Sequence, residues 1–136
     1  MKEKLDPNSR KELIAYRLEK SNQAFLEAVL MAQNKYYDSA VTRLYYACFY
    51  AALALLIENE IETSSHRGVK AMLSLHFVKN NLLETKHVRT YSELLNGRQL
   101  SDYEDFFYQD KESYDMYLIK ATEFIEAIKN LIKTVV

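Results

Sequence analysis

One cysteine, one proline and two glycines among 136 residues leave little from which several large classes of protein could be built. With Cys48 alone, an intrachain disulfide and a thiolate metal cluster are both excluded, and a lone thiol fits a reducing compartment, so the expected location is cytoplasmic. Pro7, Gly68 and Gly97 cannot supply the turn clusters that punctuate β-proteins, which points to long helices with short connections. Charge of one sign is also missing. The 18 basic and 19 acidic side chains give a formal net charge of −1, so no global field advertises a polyanionic partner, and any nucleic-acid site must be local. Glycine-rich phosphate loops, G-x-S-x-G elbows, H-E-x-x-H pairs and Cys/His dyads are all absent, which leaves most standard enzyme classes without support.

Membrane and export signals are lacking too. The first seven residues are charged and carry no apolar core, so they do not read as a secretory signal. The run from Leu44 to Ile57 holds no charge but is too short to cross a bilayer, and reads as a buried helix.

What is present suits an ordinary globular chain: 49% hydrophobic and 27% charged residues, at a length that reads as one domain over residues 1–136. A domain of this size buries roughly two thirds of its unfolded surface and needs no staples. The pattern predicts an all-α fold, an antiparallel up-and-down bundle of four long helices and one short one. The first helix starts near Asp6 or Ser9 and runs to about Gln33, facing inward with Ile14, Leu18, Ser21, Phe25, Ala28 and Ala32. A second, from about Tyr37 to Glu60, is apolar nearly all round and must be covered on most sides, by its own bundle or by a second subunit. After Thr63-Ser64-Ser65, a capping cluster, a short helix carries Val69, Met72, Leu73, His76 and Phe77. A fourth covers roughly Thr85 to Asp105 and is either divided at Asn96-Gly97, which suits a left-handed helix end, or runs through it. The fifth is the cleanest, with Tyr114, Leu118, Ala121, Phe124, Ile125, Ile128, Ile132 and Val135 on one stripe.

Chemistry is expected where this pattern is broken. If the fourth helix continues through Gly97, its stripe Val88, Tyr91, Leu95 leads to Arg98 and Asp102, two charges at positions that should be apolar. They either neutralise each other at i,i+4 or face a polar cavity, and Tyr103 adds a phenol beside them. Arg43 is the only formal charge between Asp38 and Glu58 and lies in line with Ser39, Tyr46 and Tyr50. It needs a carboxylate, for which Asp102 is the expected partner. The pair is then either an ion pair fixing helix register or part of a cluster that holds a phosphate or nucleotide.

The histidines carry competing readings. His76 lies on an apolar stripe and reads as a satisfied core histidine. His66 is either a surface residue paired with Arg67 or part of an anion site at a helix start. Glu84-x-x-His87 matches the helical unit of di-iron bundles, but the second copy such a site requires is missing, so neither a metal nor a cofactor is expected.

Three blocks of residues then bring a family into view. Tyr36 to Ala52, with its Arg43-x-Tyr45-Tyr46-Ala47 core, resembles the alanine-rich second helix of HEPN domains. Ser65-His66-Arg67-Gly68-Val69 with His76-Phe77-Val78, and Leu94-Leu95 with Arg98-x-x-x-Asp102-Tyr103, match in the expected order. The resemblance spans about residues 10 to 135. It implies a helical homodimer, often paired with a minimal nucleotidyltransferase in a toxin-antitoxin system, and in many members a metal-independent ribonuclease whose motif is an arginine followed four to six residues later by a histidine.

This chain resembles a branch with Arg-x4-Tyr instead, because Tyr103 stands where the histidine should. A phenol with a pKa of about 10 is a poor base at neutral pH. Asp105 replaces the tyrosine that some members carry two residues further on. The sequence therefore predicts a nucleotide- or RNA-binding protein with Arg43, Tyr46, Tyr50, His66 and Asp102 as binding residues. Arg98 and Tyr103 would carry any catalysis, and enzymatic activity is left open between binding, ribonuclease and scaffold readings.

Overall fold

A computed structural model describes residues 5–63, 65–103 and 108–133, with the side chains of all of these except 101–103. The described residues form α-helices with no strand among them. Helix α1 spans Pro7–Gln33, α2 Tyr37–Glu58, α3 His66–Leu73, α4 Thr85–Tyr103 and α5 Lys111–Leu131. Four are long and one is short, as the pattern predicts.

Each start has an identifiable cause. Asp6 caps α1 by accepting the Ser9 N–H at 2.8 Å, and Pro7, which has no N–H to leave unpaired, takes the first turn. Ser65 caps α3 by accepting from Gly68 N–H, also at 2.8 Å. Gly68 is required there, since a Cβ would stand 2.1 Å from Thr63 Oγ1 and 2.7 Å from Ser65 Oγ. Asp110 caps α5 in the same manner through Ser113. Between α1 and α2 the chain reverses in three residues, with Lys35 at φ 65°, so the two helices must run antiparallel.

Helix α2 is the centre of the bundle and packs on α1, α3, α4 and α5. Ala40, Val41, Leu44, Tyr45, Ala47, Cys48, Ala51, Ala52, Ala54, Leu55 and Leu56 are all buried. At 22 residues α2 is long and apolar enough, by length and composition, to cross a membrane, which corrects the expectation that the run is too short. Burial of most of its surface within the bundle is what accounts for its apolar character. Its alanines let α1 approach closely enough for the buried Ser21 hydroxyl to donate to the Ala47 carbonyl at 2.7 Å. On α1 the buried set is Ile14, Leu18, Ser21, Ala24 and Ala28, with Phe25 and Ala32 half-buried beside it.

One expectation about local structure needs correction, and one open choice is decided. The short helix does not continue regularly through Phe77. It widens into a π-turn over Ser74–Val78, closed by Lys79 N–H to Ser74 C=O at 3.0 Å. Phe77 stays buried while His76 is only half-buried, so His76 is not a core residue; the wider turn rotates it away from the Val69–Leu73 line. Nor does Gly97 end a helix. It is buried with no left-handed φ, and a Cβ there would come within 3.1 Å of Gln109 Nε2. The glycine lets the segment before α5 lie close to α4, while the Gln109 N–H donates to Asp38 at the start of α2. The continuous reading of α4 holds, and it carries Arg98 on the same face as Tyr91.

Candidate functional site

The helical repeat sets up the site. On α2, Tyr45, Tyr46, Phe49 and Tyr50 occupy adjoining positions on one side, since residues four apart stack and residues one apart diverge by about 100°. On α4, Tyr91 and Arg98 are seven residues apart, two turns along one face. Ser65 stops the chain before α3 and places His66 in its first turn. These three elements converge.

At the centre, Tyr45 and Tyr91 are both fully buried. A buried phenol needs a partner for its hydroxyl, and these two use each other, O to O, at 3.0 Å. The Tyr91 hydroxyl donates to the His66 carbonyl at 2.7 Å, and the Tyr45 hydroxyl meets His66 Nδ1 at 2.5 Å. The His66 ring stacks on Phe49, with centroids 4.3 Å apart, and stands edge-on to Tyr46. Burial, and then the positive charge of Arg98, hold the imidazole below its ordinary pKa. Burial pushes Tyr45 up to about 12 against the opposing effects of Tyr91 and Arg98, so both Tyr45 and the still higher Tyr91 remain phenols at neutral pH.

At the edge of this cluster, two arginines meet on one ring. Arg98 Nη1 donates to the Tyr46 hydroxyl at 2.8 Å, and the Arg98 guanidinium lies 5.5 Å from the Tyr45 centroid and 5.8 Å from that of Tyr46. The Arg43 guanidinium lies over the face of the same Tyr46 ring at 4.8 Å. Tyr50 continues the aromatic line, 6.1 Å from Tyr46, with Lys20 Nζ 5.6 Å from its own ring.

The structure thus brings together Arg43, Tyr46, His66 and Arg98, and leaves Tyr50 at the margin. Asp102 and Tyr103 belong to the last turn of α4, but their side chains lie outside the described residues, as does Asp105. Among the described side chains the carboxylate found against Arg43 is Glu27 of α1, at 3.5 Å and partly exposed on both sides, while the expected partner Asp102 lies outside them. His66 is not a surface partner of Arg67, because its ring is held between Phe49 and Tyr45 while Arg67 is exposed. His87 is buried on α4 with its ring edge-on to Phe124, and no grouping of three or more His, Cys, Asp or Glu suited to a metal occurs among the described residues.

Tyr45, Tyr91 and Phe49 are the participants that sequence reasoning assigned only to packing. The available signal was chemical: two tyrosines on stripes predicted to be buried must find partners for their hydroxyls.

This geometry sits within a family match that covers most of the chain. The model of the HEPN domain matches residues 14–131. The chain belongs to the HEPN family. Among curated relatives, this HEPN chain is 30% identical to a "UPF0332 protein" of Thermotoga maritima over 126 residues, covering 93% of this chain and 96% of that one. It is also similar to two Methanocaldococcus jannaschii proteins, "Putative toxin MJ0142" and "Putative toxin MJ0605". Identity to the first is 32%, over 82% of this chain and 76% of that one, and to the second 30%, over 99% of both. The HEPN match includes α2, the α3 start and α4, the three elements that build the tyrosine–histidine–arginine cluster.

Proposed function

We propose that this HEPN chain is the toxin-like component of a two-component system and that Arg43 and Arg98 hold a phosphate of a nucleotide or RNA over the Tyr46 edge. The observation that carries this reading is the convergence of two guanidiniums, from α2 and α4, on one phenol ring. Arginine forks suit phosphate oxygens, and the rings of Tyr46 and Tyr50 offer a face on which a base could stack. The names of the two Methanocaldococcus relatives support the toxin assignment. A minimal nucleotidyltransferase is the matching partner, and the cytoplasm is where such a pair would act. Homodimer formation is supported by Leu26 and Leu30, one turn apart on α1 and both well exposed, which give a second copy an apolar stripe to cover.

The test is direct titration of the full chain with nucleotides and a single-stranded RNA oligonucleotide, beside Arg43→Ala and Arg98→Ala. Micromolar or tighter binding that either change weakens at least tenfold supports the site. Equal affinity of all three proteins rejects it.

A metal-independent endoribonuclease is the second reading, favoured by one observation. His66 stands edge-on to Tyr46, whose hydroxyl accepts from Arg98, so an imidazole lies next to the proposed phosphate-binding residues.

A further inference from the structure

The line of rings and cations on α2 does not stop at Tyr50 but crosses to α1. Lys20 Nζ lies 5.6 Å from the Tyr50 ring and 6.0 Å from the Tyr16 ring, and the Arg17 guanidinium lies 5.9 Å from that same Tyr16 ring. Tyr16 and Lys20 are four residues apart and Arg17 and Lys20 three apart, the two spacings that make neighbours on a helix surface. The result is one patch at the seam of α1 with α2.

This patch has cations to spare. Arg10 is paired with Glu60 and Arg43 with Glu27, whereas among the described residues no carboxylate pairs with Arg17 or Lys20. The Arg17 Nε is also shut off from solvent and meets no acceptor among them. A shielded N–H without an acceptor is costly, so the patch favours a ligand that brings oxygen acceptors with it. Tyr16 is 51% exposed, which leaves its ring open to stacking.

The distance between the two ends selects the ligand. Arg43 and Tyr50 stand seven residues apart on α2, which is about 10 Å of helix. A stacked strand carries one phosphate per ~3.4 Å, so about three nucleotides reach from the Arg43–Arg98 pair to Lys20. A nucleoside monophosphate, with its single phosphate, can hold only one end.

We propose that Arg17 and Lys20 form a second phosphate subsite, flanked by the Tyr16 and Tyr50 rings, and that the whole site takes a single strand of three or more nucleotides. The proposal rests on the phosphate reading of Arg43 and Arg98 given above and extends it onto α1. Cations grip the backbone at each end and tyrosine faces take bases between them, a combination that holds single strands with little regard for sequence. Neither a backbone phosphate nor the face of a base distinguishes ribose from deoxyribose, so strands of either sugar fit the α1 subsite alike.

The test compares ligand length on the full chain. Affinities for uridine monophosphate, a uridine hexanucleotide and a thymidine deoxyhexanucleotide are measured by competition against one fluorescent hexanucleotide. Wild type should bind either hexamer at least about tenfold more tightly than the monophosphate, the scale of one added stacked base. In the double variant Arg17→Gln, Lys20→Gln, which keeps much of each apolar stem, that advantage should shrink to less than about threefold for both sugars. The slope of log K against log salt for the hexamers should fall by about 1.4, about 0.7 for each cation removed. Tyr16→Leu should narrow the same advantage, while Arg98→Ala should weaken binding at both lengths. A length advantage and salt slope that survive the double variant, or a loss confined to the ribose strand, would overturn the second subsite and leave the phosphate site standing. Failure of wild type to bind either length would remove the phosphate reading first, and the subsite with it.

Discussion

The Tyr45 and Tyr91 hydroxyls meet at 3.0 Å between α2 and α4, and both rings are sealed from solvent by the bundle. Neither phenol has water to fall back on, so each depends on the other and on His66 for its hydrogen bonds. Tyr91→Phe would remove the donor to the His66 carbonyl and the acceptor for Tyr45 in one change. The expected cost is about 1–3 kcal/mol, the penalty for leaving buried polar groups unpaired. Urea unfolding should show a lower midpoint with an unchanged slope.

At the start of α3, Gly68→Ala would force a methyl group against Thr63 Oγ1 and Ser65 Oγ, the second of which is the helix cap. Destabilisation of about 1–3 kcal/mol is expected from overpacking. Thr63→Ala should recover part of that loss when combined with it, so a double-mutant cycle should give a clearly non-additive result.

Leu44 and Leu26 separate core from surface. Leu44 is fully buried in α2 and its change to alanine should cost about 2–5 kcal/mol. Leu26 is 68% exposed on α1, and the same change in the monomer should stay within about 0.5 kcal/mol. A larger loss for Leu26 that grows with protein concentration would reveal a covered α1 face.

Stability should fall in mild acid. His66 and His87 are both held below the ordinary imidazole value of 6.5, each chiefly by burial. Arg98 adds to the effect on His66; at His87, Lys86 adds to it while Glu84 and Glu123 oppose it. A group that binds its proton less readily when folded lets the unfolded chain take up more protons over this range. The contribution is therefore complete above pH 6.5 and is lost as pH drops from there toward the depressed folded values. Thermal melts between pH 8 and 5 should show the decline, and His87→Leu should make it shallower.

The helices were legible because their signals are local: Asp6-Pro7 and Ser65 as starts, an alanine-rich α2, and the stripe from Tyr114 to Ile132. Arg43 and Arg98 stood out as charges on apolar faces, and the structure sets both on Tyr46. Four features were not legible, each for a physical reason. The π-turn at Ser74–Val78 is a small change of backbone pitch with no residue signature. Gly97 looked like a helix end because its use, making room for Gln109, depends on a segment twelve residues away. The Tyr45–Tyr91–His66 ring joins residues up to 46 positions apart, and periodicity records that each tyrosine is buried without recording what its hydroxyl touches. Glu27 as the partner of Arg43 was hidden for the same reason.

The most direct measurement of the phosphate site is the salt dependence of RNA binding for wild type and for Arg98→Ala. Each phosphate contact to single-stranded nucleic acid contributes about 0.7 to the slope of log K against log salt. The site described here predicts that Arg98→Ala lowers the slope by about that amount and weakens binding uniformly across sequences. An unchanged slope and affinity in a variant that melts like wild type would contradict it.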